Sequence, residues 1–177
     1  MVPCIEIKDV RVERAERFIK EIEALQPSAL RLAQQFARDG QDALDIVQDS
    51  ILKAWKHWDE YDETRPFSHW FFRILKNTCL DWKRNAYQRL RRPLTSVRGT
   101  ATGEEISDLS DTDVVLALAG RLPLRQRMVF LLKYQEDLDV HDIAEIMDIS
   151  EDTVRVHLMK SRRRIREWYL KMQEKKR

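Results

Sequence analysis

Residues 138–166 read LDVHDIAEIMDISEDTVRVHLMKSRRRIR. Ile143, Ala144, Ile146 and Met147 line a single apolar face, so a helix is expected over 138–148. Asp148, Ile149 and Ser150 then make a turn. Ser150 carries the short oxygen-bearing side chain that N-caps prefer, and Glu151 and Asp152 suit the positive end of the next helix. In that helix Val154, Leu158, Ser161, Ile165 and Trp168 recur every three or four residues as a stripe to be buried. Two helices joined by a short turn, with small Ala144 where they cross, describe a helix-turn-helix. The second helix turns outward Thr153, Arg155, Val156, His157, Met159, Lys160, Arg162, Arg163 and Arg164. In such motifs its first turns enter the major groove and read base edges, while later arginines hold phosphates.

Working upstream, Leu122-Pro123 opens a helix in which Gln126, Arg127, Val129, Phe130, Leu131 and Leu132 run on to Tyr134. Before it, 114–120 forms a short helix ending at Gly120. Charge is laid out in blocks. Residues 136–152 hold eight acids and no base, and 155–177 hold ten bases against Glu167 and Glu174. Further back, 39–63 hold eight acids against Lys53 and Lys56, 73–98 hold eight bases against Asp81, and 101–113 hold five acids. A net charge of +2 hides this order. A solvated surface mixes its signs, so two separate basic blocks point to two polyanion-facing surfaces. Residues 91–113 lack apolar periodicity and are rich in Ser, Thr, Gly and Asp, which makes them a linker. The expected organisation is a domain over 1–92, an acidic linker over 93–113 and a second domain over 114–177.

In the N-terminal half, SALRLAQQFAR (28–38) lines up Leu30, Ala33 and Ala37, widened by Leu32 and Phe36, and Asp39-Gly40 is expected to end that helix. Asp42 is the expected N-cap of the next, where Leu44, Val47, Ile51, Ala54, Trp55 and Trp58 recur at helical spacing. The opposite face presents Asp45, Gln48, Asp49, Leu52, Lys53 and Lys56, acids around one exposed leucine that suit a basic protein partner. DEYDETRP (59–66) is a polar loop. Phe67-Ser68 then opens a helix with Trp70, Phe71, Ile74, Leu75, Thr78, Leu80 and Trp82 inward and Arg73, Lys76, Asn77, Asp81, Lys83 and Arg84 outward. Nine of the fifteen aromatic residues fall between Trp55 and Tyr87. Their spacing makes most of them core, yet aromatics beside a basic helix also suit unstacked bases.

The whole chain is 177 residues, 35% charged and 43% hydrophobic, with four glycines and five prolines. That composition predicts an all-α fold, and the linker divides it into two small helical domains. No run approaches the ~20 apolar residues of a membrane helix, and the first residues hold no apolar signal core, so a cytoplasmic protein is expected. Cys4 and Cys79 share no metal-type spacing with the four histidines, which argues against a disulfide framework, a zinc module or any cofactor. Cys79 falls on an apolar helix face as a core thiol. His141-Asp142 is a dipeptide of metal phosphohydrolases, but only His57, His69 and His157 remain to complete such a site. With no P-loop, GxSxG or HExxH either, an enzyme is not expected.

Residues 42–85, DALDIVQDSILKAWKHWDEYDETRPFSHWFFRILKNTCLDWKRN, resemble region 2 of the extracytoplasmic-function (group 4) bacterial sigma factors. Residues 122–166, LPLRQRMVFLLKYQEDLDVHDIAEIMDISEDTVRVHLMKSRRRIR, resemble region 4 of the same family. The signals DAxDxxQ, RPFxxWxxRIxxN, LPxRQRxVF, IAExMxIS and TVRxxLxxxRRR stand in register over about half the chain. The resemblance implies a sigma factor that binds core RNA polymerase and directs initiation at particular promoters.

Carried over position by position, it implies that Asp45, Gln48, Asp49, Leu52 and Lys53 dock on the clamp helices of the polymerase large subunit, while the second domain meets the flap. Tyr61, Asp62, Thr64, Phe67, Ser68, Trp70 and Asn77 would receive a flipped base of the melted −10 element, with Arg73, Lys76, Lys83 and Arg84 on the adjoining phosphates. Thr153, Arg155, Val156, His157, Met159, Lys160, Arg162 and Arg163 would read or hold duplex −35 DNA. His157 stands where the family commonly has arginine, so its charge depends on pH. The acidic linker would follow the RNA-exit path, its charge mimicking RNA. An anti-sigma factor is the implied regulator, and the free chain is expected to be a monomer without membrane insertion. Two rivals come from other classes. A free-standing regulator would use the helix-turn-helix alone, as a dimer on symmetric half-sites; a helical interaction module would show no nucleic-acid affinity.

Overall fold

A computed structural model describes the backbone of residues 4–90 and 111–176, with side chains over 12–85 and 111–174. The described residues form seven α-helices and one 3-10 turn, as the composition predicts. In chain order these are α1 (Cys4–Gln34), α2 (Gly40–Lys56), the 3-10 turn Trp58–Glu60, α3 (Phe67–Leu90), α4 (Asp111–Ala119), α5 (Leu124–Tyr134), α6 (Val140–Met147) and α7 (Glu151–Lys176). The chain divides into two compact units, Met1–Cys79 and Leu80–Arg177, the division falling inside α3. The boundary expected at residue 92 and the acidic linker up to residue 110 lie outside the described residues. Asp111, Thr112 and Asp113, the last three residues assigned to that linker, are already helical and form the first turn of α4.

In the first unit α1 begins long before residue 28. It passes through Pro27, which forgoes one intrahelical bond, because the buried stripe Phe18, Ile22, Ala29, Leu32 and Ala33 keeps helical spacing on both sides of it. The helix stops at Gln34, and Phe36 packs fully buried in the following turn. Asp39, not Asp42, caps α2: its extended backbone lets the carboxylate accept from the Asp42 N–H at 2.8 Å. Asp42 turns inward, 8% exposed, and takes the Arg38 Nε at 2.8 Å.

The buried stripe of α2 is Ala43, Ile46, Val47, Ser50 and Ala54, one position round from the expected one. Leu44 and Trp55, expected inside, are 41% and 44% exposed. α2 packs against α1, and small residues at a helix–helix contact let the backbones approach while bulkier ones stay at the rim. Ser50 is tolerated there because its hydroxyl donates to the Ile46 carbonyl at 2.7 Å. Phe18 closes the unit: its ring lies 5.1 Å from Trp55, 5.2 Å from Trp58 and 6.3 Å from Phe67, edge-on to each.

The second unit is organised by α7, which packs on α4, α5 and α6. Val114, Leu118, Ala119, Leu122, Phe130 and Ile165 form one cluster, extended by Val115, Trp168, Tyr169 and Met172. Arg127 reaches back to the Gly120 carbonyl and, at 3.1 Å, to that of Leu122, so the carbonyls after α4 find a donor. α6 starts at Val140 rather than at Leu138, because Asp139 supplies the cap, accepting from the Asp142 N–H at 2.8 Å. It ends at Asp148 in the left-handed region (φ 56°), and the Ile149 N–H returns to the Ala144 carbonyl at 3.1 Å. Ser150 caps α7 as expected, accepting from the Thr153 N–H at 3.2 Å. Val154, Leu158, Ser161 and Ile165 are all buried, with Trp168 half-buried behind them.

Candidate nucleic-acid interface

Burying that stripe leaves the other side of α7 free. Arg155, Val156, Met159, Lys160, Arg162 and Arg163 are all exposed, and Thr153 is half-buried with its hydroxyl 2.8 Å from that of Ser150. Val156 and Met159 offer apolar contact of the kind thymine methyls accept, and the cations around them suit guanine edges or phosphates. Arg155 does not wait unpaired. Its guanidinium is 2.9 Å from Asp152 and 2.6 Å from Glu151, and hydrogen bonds to those two carboxylates push its pKa further up. Arg163 meets Glu167 loosely, at 3.9 Å. His157 is half-buried with no partner for Nδ1 among the described residues. Burial first, then the charges of Lys160 and Arg125, push its pKa down, so near pH 7 the ring is neutral.

The loop of the first unit is built on its aromatic cluster. Tyr61 stacks on Trp58 with ring centres 5.1 Å apart, and its hydroxyl donates to the Arg65 carbonyl at 2.6 Å. Asp62 closes the turn by accepting from the Thr64 N–H at 3.0 Å and its hydroxyl at 2.7 Å. Those two bonds hold the Asp62 pKa below the usual carboxylate range. Asp62 and Thr64 are exposed, while Tyr61, Ser68 and Trp70 are half-buried around them. Trp70 lies 5.3 Å from Tyr61 and 5.7 Å from Phe67.

Two expected members of this site are corrected. Phe67 is 5% exposed, packed between Phe18, Trp58 and Phe71, and has no face left for a base. Lys76 is 6% exposed, buried in the body of the unit rather than turned outward as its place on the helix predicts. Periodicity alone ranks a lysine as outward, but a long side chain can bury its stem along apolar surface. Arg73 and Asn77, one turn apart, are exposed as expected. Beyond the division of the units, Arg84 is exposed 3.4 Å from Asp81, and Lys83 is half-buried.

On α2, Gln48, Asp49 and Leu52 share an exposed face, Leu52 at 68%, and Asp45 and Lys53 border it half-buried. Lys53 has a second duty: besides Asp49 at 2.8 Å, its Nζ donates to the Thr78 hydroxyl on α3 at 3.2 Å. Sequence periodicity missed the brace that α1 places on the aromatic loop. Arg14 pairs with Asp59 and Arg17 with Glu63, each at 2.5 Å, and the Arg14 guanidinium lies 5.9 Å from the centre of the Trp55 ring. With Glu13, Trp58 and Tyr61 these residues line a cleft of about 390 Å³. The signal was the spacing Phe18, Ile22, Ala29, which Pro27 interrupts. Cys79 is fully buried, and burial pushes its pKa up to about 12. Among the described residues no group of three or more His, Cys, Asp or Glu is placed to hold a metal, and no helix is long and apolar enough to cross a membrane.

Residues 22–89 match the family Sigma-70 region 2, and residues 112–165 match Sigma-70, region 4. The RNA polymerase sigma factor SigV of Bacillus subtilis is 32% identical over 131 residues, spanning 74% of this chain and 78% of that protein. The ECF RNA polymerase sigma factor SigW of the same organism is 26% identical over 173 residues, 90% of this chain and 92% of that one. Among solved structures, the sigma factor RpoE in complex with the anti-sigma factor NepR from Bartonella quintana superposes with a TM-score of 0.73 at 21% identity, covering 86% of this chain and 96% of that one. CnrH in complex with the cytosolic domain of CnrY gives 0.66 at 22% identity, covering 88% of each.

Proposed function

This chain belongs to the extracytoplasmic-function family of RNA polymerase sigma factors, and from that premise we propose that it reads promoters with its two ends. Residues 1–92 dock on core polymerase and take the melted −10 strand, 93–113 connect, and 114–177 read duplex −35 DNA. The observation that carries this division is the α7 face, where exposed cations surround Val156 and Met159 on the side away from the buried stripe. A face of that make-up fits a duplex groove. The exposed Asp62–Thr64 turn, flanked by half-buried Tyr61 and Trp70, suits an unstacked base better than a paired one. Extruding a base costs a few kcal/mol, so free chain reads −10 DNA poorly and polymerase binding supplies the difference.

In this reading Asp45, Gln48, Asp49 and Leu52 meet the clamp helices, with Lys53 as much a tie to α3 as a contact. The chain makes and breaks no bonds itself and works in the cytoplasm as a monomer until it joins polymerase. The structural relative RpoE was solved with the anti-sigma factor NepR, which supports control of this chain by a protein of the same kind.

The test is gel filtration with bacterial core RNA polymerase at near-physiological salt. Co-elution is expected. Asp45→Arg with Gln48→Ala abolishes it while circular dichroism stays unchanged; Arg155→Ala with Lys160→Ala leaves it intact and lowers −35-dependent initiation. Wild-type chain that elutes alone yet binds duplex DNA belongs to a free-standing regulator instead.

A further inference from the structure

We propose that Glu151, the first residue of α7, is a positioning residue that determines specificity: it aims the Arg155 guanidinium at one base of duplex DNA, and His141 on α6 steadies it from across the turn. The inference rests on the reading of α7 as the helix that faces duplex DNA. Both carboxylate oxygens of Glu151 are engaged. Oε2 accepts from Arg155 Nη2 at 2.6 Å, and Oε1 lies 3.4 Å from Nδ1 of His141, a longer contact that forms a hydrogen bond when Nδ1 carries the proton. Asp152 completes the clamp, its Oδ1 accepting from Arg155 Nη1 at 2.9 Å. The guanidinium is therefore held at both terminal nitrogens, and the hold reaches back through Glu151 to the second residue of α6. His141, which found no metal-type partners in the sequence, meets in the fold a carboxylate of the reading helix.

A lone surface ion pair contributes little, but a guanidinium held by two carboxylates is a small network with a defined geometry. Its effect here is on direction. A free arginine near the start of a reading helix swings between a base edge and the nearest phosphate, and the phosphate contact carries no sequence information. Glu151 and Asp152 oppose that swing twice. They hold the two terminal nitrogens, and their charge repels phosphate. Two of the five guanidinium N–H groups are then taken. Three remain, enough for the two parallel bonds that guanine O6 and N7 accept. Fixing the rotamer before DNA arrives also reduces the side-chain freedom lost on binding. Arg155 is exposed, as are Val156 and Met159 on the side this reading turns to the groove. Arg163, by contrast, meets Glu167 loosely at 3.9 Å, a contact with little directional hold.

The experiment selects bound sequences from a short duplex library of random sequence, using the full chain as wild type, Arg155→Ala, Glu151→Ala, Glu151→Gln and His141→Ala. The affinity of each for one fixed mixed-sequence duplex is measured beside it. Arg155→Ala is expected to erase the preference at one base pair. Glu151→Ala lowers the preference at that same base pair by about fivefold or more and leaves the other positions unchanged, while binding to the fixed duplex tightens because a negative charge has left the face. Glu151→Gln keeps an acceptor for Nη2 and restores most of the preference, though not the charge. His141→Ala weakens the preference at the same base pair by less. If Arg155→Ala changes no preference, or erases one that Glu151→Ala leaves intact, the inference falls while the reading of α7 stands. An effect of Glu151→Ala at a different base pair would mean that Glu151 reads DNA itself, which also overturns the positioning role. A preference untouched by His141→Ala removes α6 from the clamp and overturns that half of the proposal. If wild type selects no sequence, the reading of α7 falls and this inference with it.

Discussion

In the second unit the residues that build the core and those that face outward lie on opposite sides of one helix, whereas in the first unit a single aromatic cluster serves both purposes. Val154, Leu158, Ser161 and Ile165 are buried along α7, and Val156, Met159 and Lys160 stand clear of them. Around Phe18, by contrast, Phe67 is interior while its neighbours Tyr61 and Trp70 are only half-buried and border the exposed turn. A helix separates its two roles through its period, so a pattern of threes and fours is enough to sort them. A loop has no period. Which of its aromatics point in is settled by the residues that happen to pack against it.

The contrast can be broken most sharply at Phe18. Replacing it with Ala leaves a hole under Trp55, Trp58 and Phe67 and is expected to cost about 3–5 kcal/mol, read by denaturant unfolding followed through tryptophan fluorescence. It should also impair −10 opening, since Trp58 carries Tyr61. A loss below about 1 kcal/mol would mean the cluster is not one unit.

The next effect is one of pH. Cys79 ionises at about 12 when folded, against an ordinary value of 9.0, so its contribution is complete below pH 9 and is lost as pH rises towards 12. Wild type should therefore lose up to about 1.4 kcal/mol per pH unit above pH 9 relative to Cys79→Ala. Parallel stability curves would place the thiol in water. In a Cys4→Ser background, iodoacetamide at pH 8 should label Cys79 only after unfolding.

Smaller still is the brace. Arg14→Ala with Arg17→Ala removes two ion pairs that are largely in solvent, so stability should fall by about 1 kcal/mol or less. Promoter opening should suffer more than stability if the brace positions the Tyr61 loop; equal, slight effects would make these pairs surface decoration. The smallest change belongs to the second unit. Asp148 sits at φ 56°, where glycine has no Cβ penalty, so Asp148→Gly should raise stability by about 0.5–1 kcal/mol in a thermal melt. A fall would show that the Asp148 side chain contributes more to the turn than its backbone strain removes.

Much of the fold could be read from local pattern. The helix-turn-helix, its Ser150 cap and its buried stripe follow from side-chain period and capping chemistry, which act within a few residues. The outward residues of α7 follow from the same period, and so does the exposure of Gln48, Asp49 and Leu52 on α2. Tertiary packing decided the rest. It carried α1 through Pro27, because burying Phe18 and Ile22 outweighs one lost backbone bond. It rotated α2 so that Ala43, Ser50 and Ala54 are buried while Leu44 and Trp55 stay largely exposed. It drew Phe67 and Lys76 inside, and it set Arg125 beside His157 across 32 positions of sequence. Local pattern ranks a residue against its own helix; only the neighbouring element determines which of the ranked faces is covered, and which charges end up side by side.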